Sequence, residues 1–218
     1  MTRVLLVRHG QSEWNAEGRW QGQADVALSD LGRLQARHAA LKLGVVDAIV
    51  ASDLIRASET ALIISEALGV GPVVIEPGFR ERDAGEWSGH TRAEIERDWP
   101  GYLAPLAADG RHAAFAPTVG TPDHEQKRPP SWEPDEALVV RAEAALERVH
   151  ELVPEGEVLV VTHGGLIYAL ERTIGAPFER MGNLEARWID LGPDGCPRSL
   201  GERVILVDPD ELTIPDQI

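Results

Sequence analysis

The sequence predicts an α/β fold built on a mostly parallel sheet, and three observations carry that expectation. Val4-Leu5-Leu6-Val7 and Val158-Leu159-Val160-Val161 are unbroken apolar runs, the pattern of strands buried on both faces. Stretches with helical apolar spacing separate these and other short apolar runs, as crossover helices between parallel strands require. Imidazole-glycine pairs, His9-Gly10 and His163-Gly164, follow the two long runs directly. In open α/β sheets, ligands bind at the carboxyl ends of the strands.

Length and composition bound the reading. The 218 residues are expected to form a single domain, 1–218, with an insertion at about 100–134 that holds seven prolines and little periodicity. Cys196 is the only cysteine, so no intrachain disulfide and no cysteine-based metal cluster can form. With 21 basic against 36 acidic residues, the net charge of −15 argues against a nucleic-acid partner. Neither a signal pattern nor an apolar run of about 18 residues is present, so no membrane partner and a cytoplasmic location are expected.

Taken in order, Val4–Val7 is the first strand, and residues 16–28, rich in glycine and polar side chains, form a loop folded over the site. Ser29 caps a helix whose stripe is Leu31, Leu34, Ala39, Leu41 and Leu43, stopped at Gly44. Residues 45–51 form the second strand, followed by a helix to about Leu68. Residues 72–76 form the third strand, and a glycine-punctuated loop rich in carboxylates follows, in which Arg80 and Arg82 are expected to pair with neighbours such as Asp83 and Glu86. Thr91 opens a short helix to Asp98. A long helix runs from Pro134 to about Val153 on Ala137, Leu138, Val140, Ala144, Ala145, Leu146, Val149 and Leu152. After Val158–Val161 comes a helix from Leu166 to Ile174, and two further strands are expected at 187–191 and 204–207.

Chemistry-bearing residues collect at the strand ends: Arg8 and His9, Arg56, Glu81, and His163. Alone, Arg8-His9-Gly10 reads more readily as a loop histidine beside a surface charge. Repetition of the pattern at four strand ends favours one shared pocket. Two guanidinium groups and the glycine-rich helix start at Gly164-Gly165 suit an anion with several oxygens, which makes phosphate the expected substrate group. His38 and His150 read as structural, and His112 and His124 lack partners at metal-ligand spacing, so no metal is expected. No Gly-x-Ser-x-Gly elbow is present, which excludes an α/β-hydrolase.

The segments Val7 to Asn15, Asp53 to Ala61, Arg80 to Gly89 and Thr162 to Gly165 resemble, in order, the four signatures of the histidine phosphatase superfamily, also called phosphoglycerate-mutase-like. The resemblance implies a three-layer α/β/α sandwich and a phosphohistidine enzyme without cofactor. By matching positions, His9 is the implied nucleophile. Arg8, Arg56 and His163 hold the phosphoryl oxygens with Asn15 and Gly164, and Glu81 protonates the leaving oxygen. Gln21 and Gly22, in the loop over the site, are the implied substrate-binding residues.

Gln23 and Ala84 stand where mutases of the family carry tryptophan and tyrosine, so the resemblance favours the phosphatase branch. Within it, residues 19–23 and 28–32 are similar to glucosyl-3-phosphoglycerate phosphatases. Family phosphatases open the helix after the insertion with Gly-Glu-Ser, whereas this chain has Asp135-Glu136-Ala137. The expected function is hydrolysis of a small-molecule phosphate ester. A phosphoglycerate mutase and a non-catalytic phosphoryl-ligand-binding protein are the alternatives, and a homodimer is left open. The insertion is expected to act as a lid or a substrate-selecting cap, with a passive surface excursion as the alternative.

Overall fold

The computed structural model describes residues 1–103 and 127–215. The expected lid, with His112 and His124, falls mostly outside the described residues. Six strands form one sheet: β1 (Thr2–Arg8), β2 (Ala48–Ala51), β3 (Val74–Ile75), β4 (Gly156–Thr162), β5 (Glu185–Leu191) and β6 (Pro197–Ile205). Their order is β3-β2-β4-β1-β5-β6. β1 to β4 run parallel, while β5 pairs antiparallel with β1 and β6 antiparallel with β5. The helices are α1 (Glu13–Glu17), α2 (Asp30–Lys42), α3 (Ile55–Leu68), α4 (Arg92–Asp98), α5 (Asp135–Leu152) and α6 (Gly164–Thr173).

The central strands are buried on both faces, as their continuous apolar runs require. Val4 and Leu6 face one core with Leu138, Leu146 and Leu166 of α5 and α6. Leu5 and Val7 face the other, with Ala39, Ala57, Ala61 and Ile64 of α2 and α3. The result is a three-layer α/β/α sandwich. Truncating fully buried Leu6 to alanine would cost about 2–5 kcal/mol, since a cavity at the sheet centre has no way to collapse.

Several elements depart from the sequence reading. α1 ends inside the loop expected from residue 16 and starts before it, where Ser12 and Asn15 form a reciprocal capping box. α2 buries Gly32, Gln35, Ala36, Ala39 and Ala40 instead of the expected leucines, and Leu41 is 82% exposed. Small residues face inward because α2 presses on the loop after β1: a Cβ on Gly32 would lie 2.0 Å from the Gln11 carbonyl oxygen. In α5 the buried stripe is Leu138, Ala142, Ala145, Leu146 and Val149, one clean 3.6-residue period, while Val140 and Leu152 face out. β3 shrinks to two residues at the sheet edge, and β6 starts at Pro197, earlier than expected. Arg80 and Arg82 bypass their loop neighbours and pair with Asp53 and Asp135.

Candidate active site

The carboxyl ends of β1, β2 and β4 and the segment after β3 meet at one cavity of about 120 Å³, lined by Arg8, His9, Asn15, Arg56 and Glu81. His9 leaves β1 with its N–H bonded to the Thr162 carbonyl of β4 (3.0 Å) and its own carbonyl accepting from Asn183 Nδ2 (2.8 Å). Its Nδ1 lies 2.6 Å from the Gly10 carbonyl. A carbonyl only accepts, so Nδ1 carries the proton and Nε2 keeps a lone pair. Burial, then the Arg56 and Arg8 charges, hold the His9 pKa well below the usual imidazole value, so the ring is neutral at pH 7.

Arg56, on the first turn of α3, is fully buried, and that burial pushes its pKa down to about 10. Its Nε donates to His9 Nε2 (3.3 Å), and its Nη1 and Nη2 donate to the carbonyls of Ala24 and Gly22 (2.8 Å each). The Asp25 carboxylate receives the Ile55 N–H at the open start of α3 (2.7 Å), so the loop lies over the site as expected. Gly22 has φ +52°, and a Cβ there would sit 2.8 Å from the Ala84 nitrogen. Glycine is therefore required for the turn itself, and its carbonyl serves Arg56. Gln21 lines the cavity while its side-chain oxygen accepts from Ser12 Oγ (2.7 Å).

Arg8 donates through Nη1 to the Met181 carbonyl, and its buried Nε has no hydrogen-bond partner among the described residues. Asn15 lines the cavity, with its side-chain oxygen accepting from Ser12 N–H (3.2 Å) and Asn183 Nδ2 (3.4 Å). Glu81 receives Arg82 N–H on Oε1 (2.7 Å) and Gly165 N–H on Oε2 (3.1 Å). A Cβ on Gly165 would come within 2.5 Å of the carboxylate, so this glycine admits Glu81 to the α6 N-terminus. The Gly165 amide expected to face the anion is thus engaged by Glu81.

His163 sits behind the cavity wall, fully buried and ring-to-ring with His9 at 5.2 Å. Its Nε2 lies 2.9 Å from Ser52 Oγ, and burial followed by Arg56 keeps it neutral. Chemically, the arrangement offers a neutral imidazole lone pair, two buried guanidinium groups and one carboxylate around a single space.

Residues 4–191 match the model of the histidine phosphatase superfamily (branch 1). The chain belongs to the histidine phosphatase superfamily. It is 36% identical to a glucosyl-3-phosphoglycerate phosphatase of Mycolicibacterium vanbaalenii, over 92% of this chain and 90% of that one. It is also 36% identical to a probable phosphoglycerate mutase of Enterobacter sp., over 80% and 75% of the two chains. Among solved structures, a mycobacterial glucosyl-3-phosphoglycerate phosphatase in complex with VO3 superposes with a TM-score of 0.73 at 29% identity, over 91% of this chain and 96% of that one.

Sequence reasoning missed the residues that hold this superfamily site together. Arg141 of α5 donates to the carbonyls of Gly78, Arg80 and Glu81 (2.6 to 2.9 Å) and pairs with Glu133 at 2.7 Å. Thr60 Oγ1 accepts the Gly10 N–H (3.1 Å), and Gln23 Nε2 donates to the Glu81 carbonyl (3.1 Å). Helical spacing shows that Arg141 shares a face with buried Leu138 and Ala145, but nothing local names its acceptors.

Proposed function

We propose that this chain is a metal-independent phosphomonoesterase that hydrolyses a small phosphorylated metabolite through phospho-His9. The observation that carries the reading is the neutral His9 lining the cavity between two buried arginines, its unprotonated Nε2 held in place by the Arg56 Nε–H at 3.3 Å. Nε2 attacks phosphorus, the phosphorus–oxygen ester bond breaks, and Glu81 gives a proton to the departing alkoxide. Glu81 then removes a proton from water, whose oxygen attacks phospho-His9, releasing inorganic phosphate and restoring the imidazole. Arg8, Arg56 and Asn15, which line the cavity, supply positive charge and donors to the phosphoryl oxygens, the main requirement of phosphoryl transfer, and His163 and Gly164, named for the same role by the sequence, stand just behind that lining. Gln21 and Gly22 bound the substrate side of the same space.

Hydrolysis is favoured over mutase turnover by Gln23 and Ala84, which contribute no ring to the pocket. The relative named as a glucosyl-3-phosphoglycerate phosphatase, matched over nearly its whole length, supports the same choice. The reading includes a cytoplasmic location, in keeping with a single cysteine. A panel of phosphate esters assayed with chelator present tests it. Phosphate release that His9→Ala abolishes is expected, and 3-phosphoglycerate isomerisation outrunning phosphate release would replace it with the mutase. No phosphate release from any ester, with ligand binding that His9→Ala leaves unchanged, would leave only a non-catalytic binding role. Light scattering distinguishes one chain from a homodimer.

A further inference from the structure

The segment from Met181 to Leu184 leads into β5 and does not line the cavity, yet it grips the end of β1 at three points. The Met181 carbonyl receives Arg8 Nη1, the Leu184 N–H donates to the Arg8 carbonyl (3.0 Å), and Asn183 Nδ2 donates to the His9 carbonyl (2.8 Å). Leu184 does so in the left-handed region, at φ +57°, although it is bulky and fully buried. Such backbone persists only where its surroundings over-determine it, and it gathers at functional sites.

Asn183 is the hub of the segment. Its side chain is fully buried, and backbone groups fix which way round the amide lies. The His9 carbonyl only accepts, so the amide nitrogen faces β1 and Oδ1 faces the Thr213 hydroxyl, which donates to it at 2.9 Å. Thr213 Oγ1 in turn accepts from Gln35 Nε2 (3.1 Å), a nitrogen whose place is set by the Glu211 carbonyl (2.6 Å). Gln35 Oε1 receives the Gln11 N–H (2.8 Å), and the Thr213 carbonyl receives the Asn183 N–H (2.9 Å). The relay therefore starts at Gln11, passes through the segment 211–213 and returns to His9, two residues from where it began.

The second proton of Asn183 Nδ2 reaches Asn15 Oδ1 (3.4 Å), which also accepts the Ser12 N–H (3.2 Å). These two contacts fix the sense of the Asn15 amide, with its oxygen towards Ser12 and Asn183 and its nitrogen on the opposite edge. Satisfied buried networks of this kind rigidify the groups they join. Here those groups are the implied nucleophile and a donor to the phosphoryl oxygens.

We propose that Asn183 is a positioning residue that holds His9 in line for attack and fixes the sense of the Asn15 amide, and that Thr213 locks Asn183 in that pose. This rests on the reading of His9 as the phosphoryl-accepting group.

Asn183→Ala removes the hub at the risk of the fold, so the deciding variant is Thr213→Val, at the half-buried rim of the relay. Valine keeps the shape and loses the hydroxyl, whereas Thr213→Ser keeps the hydroxyl. Thr213→Val should lower kcat about tenfold, the scale of one lost buried hydrogen bond, with KM little changed. Orthovanadate, which adopts the five-coordinate geometry of the transition state, should bind more weakly by a similar factor while inorganic phosphate does not. Thr213→Ser should restore both. Lower urea stability with kcat and vanadate affinity unchanged would overturn the proposal, as would a rise in KM alone or a failure of Thr213→Ser to restore kcat. If wild-type protein released phosphate from no ester, the phosphatase reading would fall separately. The NMR shifts of the Gly10 backbone amide and the Asn15 side-chain amide would then decide: they should move in Thr213→Val and return in Thr213→Ser, and unmoved shifts would refute the positioning role.

Discussion

The Ser52 hydroxyl accepts the Leu54 N–H at 3.3 Å and lies 2.9 Å from His163 Nε2, a hydrogen bond that orients the buried ring. His163 Nδ1, by contrast, is buried with no hydrogen-bond partner among the described residues. Ser52 thereby holds a neutral ring in place. Ser52→Ala should lower kcat about tenfold, in line with one misdirected buried hydrogen bond. The ¹⁵N shift of His163 Nε2 should change with the loss of this partner; unchanged ring shifts would show that Ser52 only fills space.

Two buried imidazoles set an acid limit on stability. His9 and His163 both have pKa values lowered by burial, so the folded state resists their protonation. Above about pH 6.5 they are neutral in both states and contribute nothing to the pH dependence. As pH falls below that value the unfolded chain binds protons first, and each imidazole can cost up to about 1.4 kcal/mol per pH unit. Asp53, held below the usual carboxylate range by its Arg80 hydrogen bond, stays ionised in this window. Urea midpoints should be level from pH 7.5 to 6.5 and fall from 6.5 to 5.5, with a shallower fall in His163→Gln.

Glu81→Gln separates the proton donor from the rest of the site. An alkyl ester should lose about 10²–10⁴ in kcat, the span of general acid catalysis. p-Nitrophenyl phosphate should lose far less, because its phenolate departs without a proton. Equal losses on both esters would remove Glu81 from that role.

Arg141→Met leaves Glu133 without its guanidinium and frees the carbonyls that fix the Glu81 segment. The pair is only partly buried, so the expected loss of stability is about 2 kcal/mol, below that for a fully buried pair. Its catalytic effect should follow the same ester preference as Glu81→Gln and be weaker. The double variant should be no slower than Glu81→Gln, which a role for Arg141 independent of Glu81 would contradict.

The parallel half of the sheet was legible because Val4–Val7 and Val158–Val161 have no alternative use: four apolar residues in a row need cover on both faces. That Arg8, His9, Arg56 and Glu81 share one cavity was legible too, although Arg56 and Glu81 stand five residues past their apolar runs and only the sheet topology brings them back to Arg8 and His9. α1 was less visible, because a five-residue helix has no period, only the Ser12 and Asn15 pair at capping distance. The buried face of α2 was misread because leucines outrank alanines in hydrophobicity, whereas close approach of the backbone selects for smallness. Arg141, Ser52 and Asn183 act over separations of 60 to 174 residues, and no local pattern encodes such partners.

Trp20, Trp87 and Trp132 stand with ring centroids 5.2 to 6.0 Å apart, and two of the three line the cavity. Half of the six tryptophans in the chain are therefore gathered at the mouth of the site. Indoles this close couple their electronic transitions, so the near-ultraviolet circular dichroism is expected to carry a strong contribution from the wall of the cleft. Ligand entry can be followed as an optical signal, with no label and no need for turnover.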